Sequence, residues 1–187
     1  MFIDCKNLDM RHTCRLHRLL DDCEYLTGIK FSYEACKSAV DIGNMFSSCI
    51  KLASVDLSEI ITDNTVYLSF QFSECKSLEE VDVSMYNTSK VIYINGMFQD
   101  CVKLRRLDLS NFDTRKVQSS QDMFRNCKSL EWLNISSFNL ANLRSDNMRG
   151  MFHGCTSLRK VLLPEDKDSR EKLVEQLKVD GIQCELV

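Results

Sequence analysis

Five of the ten cysteines, Cys49, Cys75, Cys101, Cys127 and Cys155, recur at spacings of 26, 26, 26 and 28 residues. Thiols offer three kinds of chemistry: disulfide bridging, metal ligation and attack as a thiolate. The spacing discriminates among them. Small secreted domains stapled by disulfides carry unevenly spaced cysteines in loops, whereas these fall in one structural column with apolar neighbours, where a free thiol packs as a small hydrophobe. Stacked coils would also bring neighbouring thiols toward the Cα separation of about 5.5 Å that a bridge prefers, so oxidation of some pairs stands as the alternative. Metal ligation ranks lower, because a one-dimensional ladder does not converge four ligands on a tetrahedron, and none of the three histidines recurs with the period. His153 lies two residues before Cys155, but an inward thiol gives a Cys–His pair no accessible sulfur. No Gly-rich phosphate loop and no Gly-x-Ser-x-Gly occurs. The expectation is a protein without catalytic residues, bound metal or cofactor.

Binding chemistry is better represented. One column runs Lys30, Asp56, Asp82, Asp108, Asn134, Leu162. If it lies on adjacent strands about 4.8 Å apart, the aspartates repel by up to about 1 kcal/mol per exposed pair. Either they form an acidic stripe for a basic segment or cation, or they bond to neighbouring hydroxyls, since Ser32, Ser58, Ser84, Ser110 and Ser136 recur just as faithfully. The column two residues earlier varies instead: Gly28, Ser54, Glu80, Arg106, Trp132, Lys160. Trp132 is the only tryptophan, and Trp and Arg dominate interface energies. Glu80, Arg106, Trp132 and Lys160, with Asp56, Asp82 and Asp108, are the candidate partner contacts. For Trp132 the alternative is a ring lying flat over its neighbours' aliphatic stems.

The elements that must position these columns are visible in the most regular unit, Met97 to Val117. Apolar residues at 97, 98, 101 and 104 have the spacing of one helical face, and Leu107-Asp108-Leu109 alternates with the period of a half-buried strand. Each repeat is therefore read as a short helical turn, a short strand and a polar turn at Ser110-Asn111. Ile60, Tyr86, Phe112 and Phe138 form one apolar column, and Phe46, Phe72, Phe98, Phe124 and Phe152 form another; both are expected in the core. Units this small cannot bury their own apolar face and must stack into a solenoid.

The phrase Met-Phe-x-x-Cys-x-x-Leu-x-x-Leu-Asp-Leu-Ser-x-Phe-x-Thr, most complete at Met97 to Thr114, resembles the BspA-like leucine-rich repeats. Within them it is similar to the 26-residue class of surface proteins from mycoplasmas, lactic-acid bacteria and anaerobic protists. The resemblance covers roughly residues 19 to 164. It implies a right-handed solenoid engaged in adhesion or protein interaction, with no activity attached to the repeat. The fold class expected is thus an α/β repeat solenoid: a right-handed leucine-rich-repeat coil with a parallel concave sheet and short helical turns on the convex side. The chain departs from the family in its length and in showing no export signal or anchor.

Residues 1–22 are read as an N-terminal cap holding a truncated repeat, Met1-Phe2-x-x-Cys5-x-x-Leu8. Within it, Leu16, Leu19 and Leu20 give Thr13 to Asp22 one apolar helical face. Residues 23–164 are the repeats, and 165–187 a C-terminal cap of helix plus short strand. Two extra residues between Cys127 and Cys155 predict a longer loop bulging at Asn139 to Arg149. A net charge of −3 over 187 residues argues against a nucleic-acid footprint, which needs a clustered basic face. No apolar stretch approaches the roughly 18 to 20 residues of a membrane span, and Met1 to Cys14 has no signal-peptide core. These features predict a cytoplasmic location, or a surface or secreted one if the chain is a fragment. The partner expected is a protein met on the concave sheet; the alternatives are a self-assembling, homo-oligomeric structural subunit and a fragment of a cell-surface adhesin.

Overall fold

A computed structural model describes residues 1–4, 12, 15–31 and 36–187. Over them the sequence period becomes a parallel-strand β-solenoid of about seven turns. Strands β1 (Phe2–Asp4), β2 (Gly28–Lys30) and β3 (Ser54–Asp56) form one parallel sheet, and β4 (Arg106–Asp108), β5 (Trp132–Asn134), β6 (Lys160–Leu162) and β7 (Glu185–Leu186) form a second. Register advances by one repeat per strand, with Ile29 opposite Val55, and Leu107 opposite Leu133 opposite Val161. Alternation sends the central residue of each strand inward and its neighbours outward. Leu107 and Leu133 are accordingly buried while Arg106 and Asp108 are exposed. Residues 80–82 take no strand geometry, which separates the two sheets. Half a coil away, a second parallel ladder of single bridges joins Arg15, Asp41, Tyr67, Tyr93 and Ser119 and crosses that gap unbroken.

The segments expected as short helical turns keep their apolar face but are not helices. They are six-residue turns at 17–22, 43–48, 69–74, 95–100, 121–126 and 149–154. The second and sixth residues of each are left-handed, as in Asn44 and Ser48, Gly96 and Asp100, Asp122 and Asn126. The hydrogen bonds explain the choice. Asn44, Phe46 and Ser48 donate their N–H groups to the carbonyls of Ser69, Gln71 and Ser73 in the next coil, while Ser47 and Cys49 donate back to Asn44 and Phe46. A continuous α-helix would direct every N–H within its own coil and leave the stack unjoined here. Left-handed backbone favours Gly, Asn and Asp, the types that recur at most of these positions.

Both Phe columns are core. Phe46, Phe72, Phe98, Phe124 and Phe152 stack with centroids 5.2, 5.6, 6.2 and 5.8 Å apart, and Ile60, Tyr86, Phe112 and Phe138 are buried. Between coils runs a threonine ladder: Thr62, Thr88 and Thr114 accept the N–H of the next coil's Asn87, Asp113 and Asn139, respectively, at 2.7 Å and donate to that same residue's carbonyl.

At the N-terminal end, residues 15–22 take the repeat's turn in place of the expected helix, with Leu16 buried and Leu19 exposed. Cys5, Leu8, Thr13 and Cys14 of the expected cap, and Ser32 of the serine column, lie outside the described residues. At the other end, helix α1 (Lys167–Val179) is N-capped by Asp166, which accepts the Ser169 N–H, and buries Leu173 and Leu177. The extra residues before Cys155 make a 3-10 helix, Ser145–Met148. The expected bulge is tied down: Lys172 of α1 donates to the carbonyls of Leu140, Ala141 and Leu143, and Ser169 Oγ accepts the Leu140 N–H.

Candidate partner-binding face

The strands bring the variable column together in register: Arg106 beside Trp132, Trp132 beside Lys160, Lys160 beside Glu185. The Arg106 guanidinium carbon lies 4.6 Å from the centroid of the Trp132 ring, within the reach of a cation–π contact. Trp132 is half-buried beneath it, and Lys160 pairs with Glu185 at 3.2 Å. Glu80 is exposed but sits in the stretch without strand geometry, outside both sheets. Sequence reasoning missed that the charges here alternate by coil. Glu79 and Glu80 are followed by Arg105 and Arg106, then Glu131, then Arg159 and Lys160, then Glu185, and Arg105 lies 3.8 Å from Glu131. Reading the two positions before each inward residue together, instead of one column at a time, would have revealed it.

The aspartate column bonds to its own turns. Asp56 accepts both the N–H and the hydroxyl of Ser58, at 3.1 and 2.6 Å, and pairs with Lys30 at 3.0 Å. Asp82 and Asp108 accept the N–H groups of Ser84 and Ser110 at 2.9 Å, and Asn134 does the same for Ser136 at 3.1 Å. The Ser58 hydroxyl and amide, aided by Lys30, lower the Asp56 pKa to about 2. Ser84 holds Asp82 below the usual carboxylate range; at Asp108 burial works the other way, and bonds from Ser110 and Asn134 outweigh it. These groups stay charged on the surface while one oxygen of each fastens the strand to the turn that follows.

The cysteine column forms no catalytic arrangement. Cys49, Cys75, Cys101, Cys127 and Cys155 are free and buried, and each thiol donates to a carbonyl of the preceding coil at 3.0 to 3.1 Å. Burial pushes the Cys49 and Cys155 thiols up to about 12 and the three between them well above their ordinary range. Cys155 points at Phe124 O while His153 is exposed, so the two do not pair. Among the described residues no three His, Cys, Asp or Glu side chains are grouped to hold a metal ion, and no helix is long and apolar enough to cross a membrane.

No curated protein and no solved structure matches the chain. The family described as "Mycoplasma protein of unknown function, DUF285" matches residues 35–164, the stretch that holds the regular coils from Cys36 to the end of β6, and the chain belongs to that family.

Proposed function

We propose that this chain is a non-enzymatic, protein-binding scaffold of the BspA-like leucine-rich-repeat class, which engages a partner protein through its strand face. One observation supports the reading above all. Arg106, Trp132 and Lys160 hold equivalent register positions on adjacent strands yet differ in chemistry, while the residues beside them repeat as Leu107, Leu133 and Val161. A position that the scaffold leaves free to vary is where specificity is written. An arginine on a tryptophan supplies the large rigid contact area that interfaces concentrate in a few residues. Asp56, Asp82 and Asp108 form the neighbouring row, a line of charged carboxylates that a basic group of the partner would meet, Asp56 by exchanging its Lys30 pairing.

Capture of partners from native cells by the immobilised chain, repeated with Arg106→Ala/Trp132→Ala, tests this. A bound protein should fall at least about tenfold with the variant, as expected when central interface residues are truncated. A partner retained in full by the variant would refute the use of this face.

A further inference from the structure

The ladder of single bridges, half a coil from the strands, carries a second surface. Val40, Val66, Ile92 and Gln118 succeed one another along it, each N–H of the later three bonded to the carbonyl of the one before, at 2.8 to 2.9 Å. The next residues round the coil, Asp41, Tyr67, Tyr93 and Ser119, are the bridged ones. Tyr67 and Tyr93 stack face to face with centroids 5.5 Å apart. Neither apolar row is covered: Val40 and Tyr67 are 39% and 41% exposed, and Val66, Ile92 and Tyr93 are half-exposed. At Ile92 this stripe opens into a groove of about 550 Å³ whose floor includes Val117 and Leu143 and whose wall carries Arg115, Lys116 and Arg144.

Charge decides what fits. Arg115 is held by Asp113 at 2.9 and 2.6 Å, whereas Arg144 lies a looser 3.8 Å from Asp146 with both side chains largely exposed and can turn to a new carboxylate. Lys90 and Lys116 stand at the same position of adjacent coils, and Lys90 donates to the neutral amide oxygen of Asn64 at 2.9 Å. At Lys90, Ile92 and Tyr93 the surface therefore reads basic, aliphatic and aromatic side by side, the basic row running on to Lys116 and the other two back to Val66 and Tyr67. We propose that this stripe and its groove dock an extended acidic segment of a partner protein, with aliphatic or aromatic side chains entering between the tyrosines and Leu143 and carboxylates meeting Lys90, Lys116 and Arg144. This contact is separate from the strand face and stands whether or not Arg106 and Trp132 bind anything.

The probe is an array of immobilised peptides of about ten residues, long enough to cross three rungs, in three sets: glutamate with Phe and Leu, lysine with Phe and Leu, and glutamate with Ser. The intact chain should bind the first set alone. That signal should drop at least about tenfold in Tyr67→Ser/Tyr93→Ser and in Lys116→Glu/Arg144→Glu, should fall with added salt, and should be unchanged in Trp132→Ala. Circular dichroism matching the parent shows that the surface variants fold; a variant that fails this is replaced by Lys90→Glu/Lys116→Glu, for which the same loss is expected. Absence of binding to the first set, equal binding to the lysine set, or sedimentation with phosphatidylserine vesicles in place of peptide binding would each overturn the proposal.

Discussion

Arg106 lies over the face of Trp132, its guanidinium carbon 4.6 Å from the ring centroid, although 26 residues separate the two. The contact exists because the parallel register sets residue 106 directly beside residue 132. It pre-organises two residues that would otherwise lose side-chain freedom when a partner arrives.

Because Trp132 is the only tryptophan, its emission reports this pair without interference. Arg106→Ala should shift Trp132 emission to longer wavelength by admitting water to the ring. In a double-mutant cycle with Trp132→Leu, which removes the aromatic face, the pair should couple by about 0.5 to 1 kcal/mol, the worth of an exposed cation–π contact. Emission unaltered by Arg106→Ala would mean that the two side chains do not meet in solution.

Acid should loosen the strand-to-turn junctions. Asp56, Asp82 and Asp108 have pKa values held below the ordinary 3.8, Asp56 at about 2. A carboxyl with a depressed folded-state pKa contributes stability that is present above its unfolded value and lost as pH falls through the folded one. For Asp56 the loss should therefore run from about pH 4 down to about pH 2. Asn134 shows that an amide oxygen accepts the same serine N–H, at 3.1 Å, so Asp56→Asn should fold normally and titrate less in that window. Urea midpoints measured at pH 5, 4, 3 and 2 for the two proteins check this; parallel curves would assign the acid dependence to other groups.

Most of this solenoid could be read from residue types. The strands follow from Leu-Asp-Leu, whose alternation places one outward residue between two inward ones, and the aspartate's partner is legible as the serine two positions on. The turns were misread for a physical reason. Apolar residues at 97, 98, 101 and 104 satisfy a helical face, and they equally satisfy a six-residue turn whose second and sixth residues are left-handed. What separates the two is the other face: Gly96 with Asp100, and Gly150 with Gly154, types that a helix interior disfavours. Phe70 and Glu74 fill the same positions in their coil, which hides the signal there. The cation–π pair and the alternating charges needed the register itself, since neither is visible within one repeat.

The thiol column should be chemically silent in the folded chain. Thiolates react and thiols do not, and burial raises Cys49, Cys75, Cys101, Cys127 and Cys155. Iodoacetamide at pH 8, followed by peptide mass spectrometry, should leave these five unmodified until urea unfolds the chain. Prompt labelling of Cys101 in native buffer would contradict its burial against the Phe72 carbonyl.

One coil breaks the pattern inside as well as on its surface. Where the other regular coils place Met45, Met97, Met123 and Met151, this one has Gln71, whose amide donates to the Tyr86 hydroxyl at 3.0 Å in a fully buried pair. The remaining amide oxygen, Gln71 Oε1, finds no partner among the described residues, and it is this coil that lacks strand geometry at 80–82. A buried polar pair helps only when all its groups are satisfied. Tyr86→Phe alone should cost about 1 to 3 kcal/mol, because it strands the amide donor as well as the oxygen. Gln71→Met/Tyr86→Phe, which restores the composition of the neighbouring coils, should return stability to the parent value or above it by about 1 kcal/mol. Urea denaturation of the parent, single and double variants reads both effects, and a double variant less stable than Tyr86→Phe would show that this coil is built around its hydrogen bond instead of tolerating it.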